Sequence, residues 1–195
     1  MEFKKIQLNG FKSFAEKTNF LIEDGLTGIV GPNGCGKSNI VESLRWVMGE
    51  TSAKSMRGSG MEDVIFSGTS NKASKNIAEV SIEVENKDKE GPIQYRELEQ
   101  LQVRRKIEKD KGSKFYINDK EVRSRDAKMF FADLSTGAHS PSIISQGRIG
   151  SLVTAKPQDR RAILEEAAGI SGLHARRHEA ELRLNAAENL SLIHI

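Results

Sequence analysis

Polar and apolar residues alternate loosely through Glu2–Leu8 (EFKKIQL) and stop at the turn pair Asn9-Gly10, which predicts a first strand. TNFLIED and the short apolar run LTGIV (residues 26–30) predict two more strands, the second suited to a buried sheet position. After a cluster of glycines, Ile40, Leu44, Val47 and Met48 recur at helical spacing in SNIVESLRWVMGE, and Gly49 supplies a stop. The glycine loop is thus expected to join a strand to a helix. Residues 50–75 are rich in Ser, Gly and Lys around Val64-Ile65-Phe66, and read as a loop region containing one strand. IAEVSIEVEN alternates at period two, as a half-buried strand does; QVRRKIE and SKFYIND predict a hairpin turning at Lys111-Gly112-Ser113, and Asn118-Asp119 another turn before KEVR. From about residue 124 the spacing becomes helical: RDAKMFFADL, then the loop STGAHSPSIISQGRIGSL, then PQDRRAILEEAAGI, where Pro157 and Asp159 suit a first helical turn. ARRHEAELRLNAAENL predicts a long charged helix, the final SLIHI drops its charge pattern, and no internal repeat is present.

Composition narrows the class. A chain of 195 residues with 37% apolar content can bury a sizeable core and is expected to form one or two domains. A single cysteine excludes an internal disulfide and a cysteine-based zinc cluster, and fits a reducing compartment. MEFKKIQLNGFKSF has no apolar signal-peptide core, and no run approaches the roughly 18 apolar residues of a membrane span, so a soluble cytoplasmic protein is expected. The net charge of +3 is small but uneven: residues 102–128 hold ten basic side chains (Arg104, Arg105, Lys106, Lys109, Lys111, Lys114, Lys120, Arg123, Arg125, Lys128) against five acidic ones.

The clearest chemistry lies in Gly31-x-x-x-x-Gly36-Lys37-Ser38, the Walker A template, placed between predicted strand and helix as that motif requires. Glycines let successive backbone N–H groups turn toward phosphate, the helix dipole favours the anion, Lys37 reaches the terminal phosphates and Ser38 can ligate Mg²⁺. Pro32, Asn33, Gly34, Cys35 and Asn39 complete the nucleotide-binding stretch. A helix N-terminus lowers thiol pKa, which would suit a nucleophilic or redox-sensing Cys35. No histidine is near it in sequence and the loop needs only its backbone N–H, so Cys35 reads as a spectator side chain. MFFAD imitates a Walker B strand, but the surrounding spacing is helical and Leu134 follows where a catalytic glutamate belongs; Asp133 is rejected as a metal ligand.

GFKSFAEKT, GPNGCGKSNI, RWVMGE, SMRGSGMEDVIFSG, SIISQGRI and DRRAILEEAAGI, in this order and spacing, closely resemble the N-terminal half of the ATPase head of bacterial structural maintenance of chromosomes (SMC) proteins, over residues 1 to about 190. The resemblance implies an α/β P-loop NTPase fold: the N-terminal lobe of an ABC-ATPase-like head with a mixed sheet and an antiparallel basic subdomain (residues 1–172), ending in the start of a coiled-coil arm (173–195). It implies that Gln146 matches the glutamine that senses Mg²⁺ and the attacking water, that Arg57 matches an arginine loop near the phosphates, and that Lys12 and Ser13 lie beside the nucleotide. Lys37 and Gln146 are then the catalytic candidates, Ser38 and Gln146 the metal ligands, and Arg123 and Arg125 contacts to DNA phosphates. Gly60 stands where some relatives carry a basic residue, which leaves a DNA contribution there in doubt.

For the complete protein the resemblance implies ATP- and Mg²⁺-dependent head engagement on double-stranded DNA, serving chromosome condensation, organisation and segregation in the nucleoid. The implied partners are a second copy of the protein, through hinge and heads, and a kleisin subunit with its winged-helix companion. This chain shows no LSGG-type signature, no credible Walker B pair and no switch histidine, since His139, His174 and His178 stand outside any apolar strand. Alone it is expected to be inactive. The alternatives are an SMC-like DNA-repair ATPase head, a small P-loop kinase and a non-enzymic DNA-binding module.

Overall fold

The computed structural model describes residues 1–87, 89, 92–134, 143–144, 148–168 and 170–193. Strand β1 (Glu2–Asn9) pairs with β2 (Thr18–Leu21) on one side and β3 (Ile77–Glu85) on the other, and β4 (Gln100–Glu108), β5 (Gly112–Ile117) and β6 (Lys120–Val122) follow outward. The six strands run in the order β2-β1-β3-β4-β5-β6, and every pairing is antiparallel. Period-two alternation explains their two-sidedness. Ile6 and Leu8, Val80, Ile82 and Val84, Leu101, Val103 and Ile107, and Phe115 and Ile117 are all buried, whereas their neighbours along each strand are mostly less so.

Helix α1 (Lys37–Val47) contacts β3 and β4, and helix α2 (Ser124–Asp133) contacts β5. Trp46 of α1 packs on Phe11, with ring centroids 5.4 Å apart, while Phe130 and Phe131 of α2 join the same core. Gly49 follows α1 with φ 106°, ending the helix where a stop was expected. Helices α3 (Arg148–Val153), α4 (Pro157–Ala167) and α5 (Ser171–Ile193) complete the order, with α5 touching α2 and α4. Pro157 opens α4 and Asp159 lies in its first turn, as the sequence predicted.

Four expectations are corrected. Residues 26–30 form no strand: they run irregularly, with Leu26 100% and Val30 94% exposed. Their apolar pattern asks for sheet neighbours on both sides, and none pairs with them among the described residues; the expected mixed sheet is accordingly antiparallel throughout. Val64-Ile65-Phe66 is also not a strand. The region folds as two 3₁₀ turns (Lys54–Met56 and Met61–Val64), leaving Ile65 with an isolated bridge to Phe11. The β4–β5 turn lies at Lys109–Lys111, ahead of the expected position, because Asp110 takes a left-handed φ of 63° before Gly112 at 81°. At the next turn Asn118 and Asp119 both adopt positive φ (46° and 63°), the conformation of a tight two-residue hairpin.

Candidate functional site

The glycine loop turns into α1 through two left-handed residues, Gly34 (φ 86°) and Gly36 (φ 87°). At Gly36 the requirement is steric as well as torsional. A Cβ there would lie 2.4 Å from Ser13 Oγ, so only glycine lets the segment carrying Ser13 close onto the loop. Helix α1 begins at Lys37, which leaves its first N–H groups at the loop mouth, the ordinary arrangement for binding an anion. Lys37 Nζ donates to the carbonyl oxygens of Gly31 and Pro32, the second at 2.6 Å, so the lysine folds back across its own loop. Asn33 and Ser38 are exposed, as is Cys35.

Residues distant in sequence meet beside this loop. Asn39 Nδ2 donates to Ser13 Oγ at 2.9 Å, and Arg57 Nη2 donates to Asn39 Oδ1 at 3.0 Å. Arg57 Nε and Lys12 Nζ both reach the carboxylate of Glu42, and Lys12 Nζ also donates to Met56 O. The structure therefore brings together Lys12, Ser13, Gly36, Asn39 and Arg57. It adds Glu42, which the sequence reading did not single out. A signal existed: Ser38, Glu42 and Trp46 are spaced four apart, so Glu42 stands on a helix stripe that runs from the loop into the core.

The loop following Arg57 is held by Asp63, whose Oδ2 accepts from Ser59 N at 2.6 Å, Ser59 Oγ at 2.8 Å and Gly60 N at 2.9 Å. These bonds, led by the Gly60 N–H, hold the Asp63 carboxyl below the usual carboxylate range.

The basic stretch divides on inspection. Arg105 is 3% exposed, stacked on Trp46 and Phe115 (4.5 and 4.7 Å to the ring centroids) and donating to the carbonyls of Trp46 and Glu50 at 2.7 and 2.6 Å. Desolvation lowers its pKa to about 10, with Glu50 opposing the shift. Arg104 lies over Tyr116 and bonds to Asp119 at 2.8 Å; Lys111 pairs with Glu108 and Lys114 with Glu121. Arg123 and Arg125 are exposed at the N-terminal end of α2. Gln146 lies outside the described residues, and so does His139. Asp133 is the last residue of α2, a helical setting unlike a Walker B strand.

An antiparallel sheet backed by a helix that springs from a Walker A loop defines a P-loop nucleotide-binding lobe. The RecF/RecN/SMC N terminal domain matches residues 2–147, and the chain belongs to that family. The Chromosome partition protein Smc of Rhodopseudomonas palustris is 55% identical over 188 residues, 96% of this chain and 16% of its own length. That of Myxococcus xanthus is 46% identical over 190 residues, with the same coverage of 96% and 16%. The chain thus spans 16% of the length of these relatives. Among solved structures, an Smc head bound to the C-winged helix domain of ScpA superimposes with TM-score 0.80 at 30% identity, covering 90% of this chain and 54% of that one. A structure from work on ATP-driven dimerization and DNA-stimulated activation of SMC ATPases gives TM-score 0.73 at 32% identity, covering 86% of this chain and 99% of that one.

Proposed function

We propose that this chain is the ATP-binding part of an SMC-type head, one side of a divided ATPase site that serves chromosome condensation, organisation and segregation. The observation that carries the reading is the convergence of Ser13, Asn39 and Arg57 on a loop whose Gly36 admits no side chain. A chance glycine-rich turn has no reason to gather those residues. Phosphates fit this loop: the N–H groups at the start of α1 and the Lys37 ammonium supply donors, and the lysine's bonds to Gly31 and Pro32 are exchangeable for bonds to an anion. When bound, ATP supplies the phosphoryl group that hydrolysis transfers to water.

In this reading Lys37 neutralises the terminal phosphates, Gly31, Pro32, Asn33, Gly34, Cys35 and Gly36 wrap them with backbone groups, and Lys12, Ser13, Asn39 and Arg57 flank the nucleotide. Ser38 and Gln146 would be the residues that hold Mg²⁺, which would neutralise charge on the phosphates.

The exposed run 26–30 supports a divided site. Burying the fully exposed Leu26 and Val30 is worth roughly 1.5–3 kcal/mol each, and the half-exposed Ile29 less, a gain left unused beside the phosphate loop unless further strands cover the segment. Residues 1–172 form the lobe and 173–195 the root of an arm, on which Leu182, Leu184 and Leu190 are exposed. Arg123 and Arg125 touch DNA phosphates without reading sequence. A second copy of the protein, a kleisin and its winged-helix companion are the partners, in keeping with the head dimerization and ScpA complex described for the solved relatives. Among the described residues no helix is long and apolar enough to cross a membrane, and nucleoid association follows from the DNA reading.

Titration with a fluorescent ATP analogue tests the proposal. Residues 1–195 are expected to bind it weakly with Mg²⁺ present, and Lys37→Ala to abolish binding; unchanged binding by that variant would contradict the assignment.

A further inference from the structure

Glu42 is an unusual residue to find where it is. It is 8% exposed, on the helix that starts at the phosphate loop, in a protein whose other acidic groups are mostly at the surface. A buried carboxylate is costly unless paired, and this one is paired twice: Oε2 with Lys12 Nζ and Oε1 with Arg57 Nε. Its two partners share a second peculiarity. Lys12 (φ 47°) and Arg57 (φ 55°) are non-glycine residues in the left-handed region, a conformation that persists when the surroundings over-determine it. Lys12 is fixed further by its N–H to Val64 O at 2.7 Å and its Nζ to Met56 O, so the two loops are tied to one another as well as to α1.

We propose that Glu42 is a positioning residue of the nucleotide site: its carboxylate fixes Lys12 and aims Arg57 at the phosphate loop, so that both cations are in place before ATP arrives. This rests on the loop being an ATP site. The geometry divides the labour on Arg57. Nε is committed to Glu42 and Nη2 to Asn39, which in turn holds Ser13 against Gly36, while the side chain as a whole remains 58% exposed and can still meet a ligand. A guanidinium held at two points loses little freedom on binding, which is how preorganisation raises affinity. Were Glu42 only a structural tie, its loss would lower stability and leave the affinity of the folded protein for ATP unchanged.

The test combines binding with a side-chain signal, on residues 1–195. The Arg57 Nε–H resonance in ¹⁵N-resolved NMR is expected to be protected from exchange in the wild type and to lose protection in Glu42→Gln, with the Trp46 indole signal unmoved. The affinity of Glu42→Gln for a fluorescent ATP analogue is expected to fall roughly tenfold, the scale of one lost charge-assisted hydrogen bond. Adding Arg57→Ala to Glu42→Gln is expected to cost little more, since Arg57 is no longer aimed at the loop once Glu42 has lost its charge. Should Glu42→Gln fold poorly, Arg57→Lys serves instead: it keeps the charge at an exposed position but cannot hold both Glu42 and Asn39, and is expected to weaken binding as Arg57→Ala does. Wild-type affinity in Glu42→Gln or Arg57→Lys, while Lys37→Ala abolishes binding, overturns the positioning role and leaves the ATP site standing. Failure of the wild type to bind, or indifference to Lys37→Ala, overturns both.

Discussion

Arg105 shows how one residue's surroundings reverse its meaning. In composition it is one of ten cations in a basic stretch; in the fold it is a buried cap that satisfies the carbonyls of Trp46 and Glu50 at the C-terminal end of α1. Arg105→Ala removes a charge-assisted donor from each of those carbonyls, although Gly49 N–H still serves Trp46 O, and it opens space between Trp46 and Phe115, so unfolding free energy is expected to drop by about 2–4 kcal/mol. Lys109→Ala, at an exposed turn, is expected to stay within about 0.5 kcal/mol; urea denaturation of the two variants measures the contrast. The signal was present in the sequence, because Arg105 occupies the inward phase of Leu101, Val103 and Ile107, and a charge in that phase is either an error or a buried partner. Glu42 was harder to read: nothing in the sequence shows that the segments of Lys12 and Arg57 return to its side of α1. Gly36, by contrast, was legible as a glycine the loop's spacing requires, and its φ of 87° fits that, whereas its close approach to Ser13 is seen only in the structure. Gly36→Ala forces a side chain into both constraints and is expected to abolish ATP-analogue binding, whereas the same change at the open position Gly60 is expected to leave it intact.

At the scale of elements, alternation along β1, β3, β4 and β5 was sufficient to predict strands because each pairs with a strand within the chain. LTGIV carries an equally good strand pattern and is not a strand, since a strand is defined by its neighbours and periodicity records only burial. Backbone amides of residues 27–30 are therefore expected to exchange freely in the isolated chain while those of β3 and β4 are protected. Protection of both to the same degree would show that the segment pairs on its own. The 54–64 region lacked any usable period; its first 3₁₀ turn closes on the carbonyls of Ser52 and Ala53, and its second is capped by Asp63 binding Ser59 and Gly60. Asp63 has its pKa lowered in the folded state, so its stabilisation is complete above the unfolded carboxyl value of about 3.9 and is lost as pH falls through the folded value. Asp63→Asn is expected to be less stable than wild type at neutral pH, with the gap closing below about pH 4. A gap that is constant with pH would remove the charge from the explanation.

Over the whole molecule, the family was legible from six ordered sequence blocks, and the antiparallel sheet with α1 behind the glycine loop agrees with it. Charge distribution was less so: the basic stretch is partly consumed by Glu108, Asp119, Glu121 and the core, while Arg123 and Arg125 are exposed, Arg125 lying 3.9 Å from Asp126. If these two touch phosphates, replacing both by glutamine should lower the slope of log affinity for DNA against log salt by about 1.8, near 0.9 for each contact. An unchanged slope would place DNA elsewhere. On the proposed reading the phosphate loop is one side of a divided site, next to the exposed apolar segment 26–30. It is tested most directly by the steady-state ATP turnover of purified residues 1–195 with Mg²⁺. Bound nucleotide without turnover above background is expected; robust hydrolysis that Lys37→Ala abolishes would show that the chain is a complete ATPase by itself and would overturn the divided site.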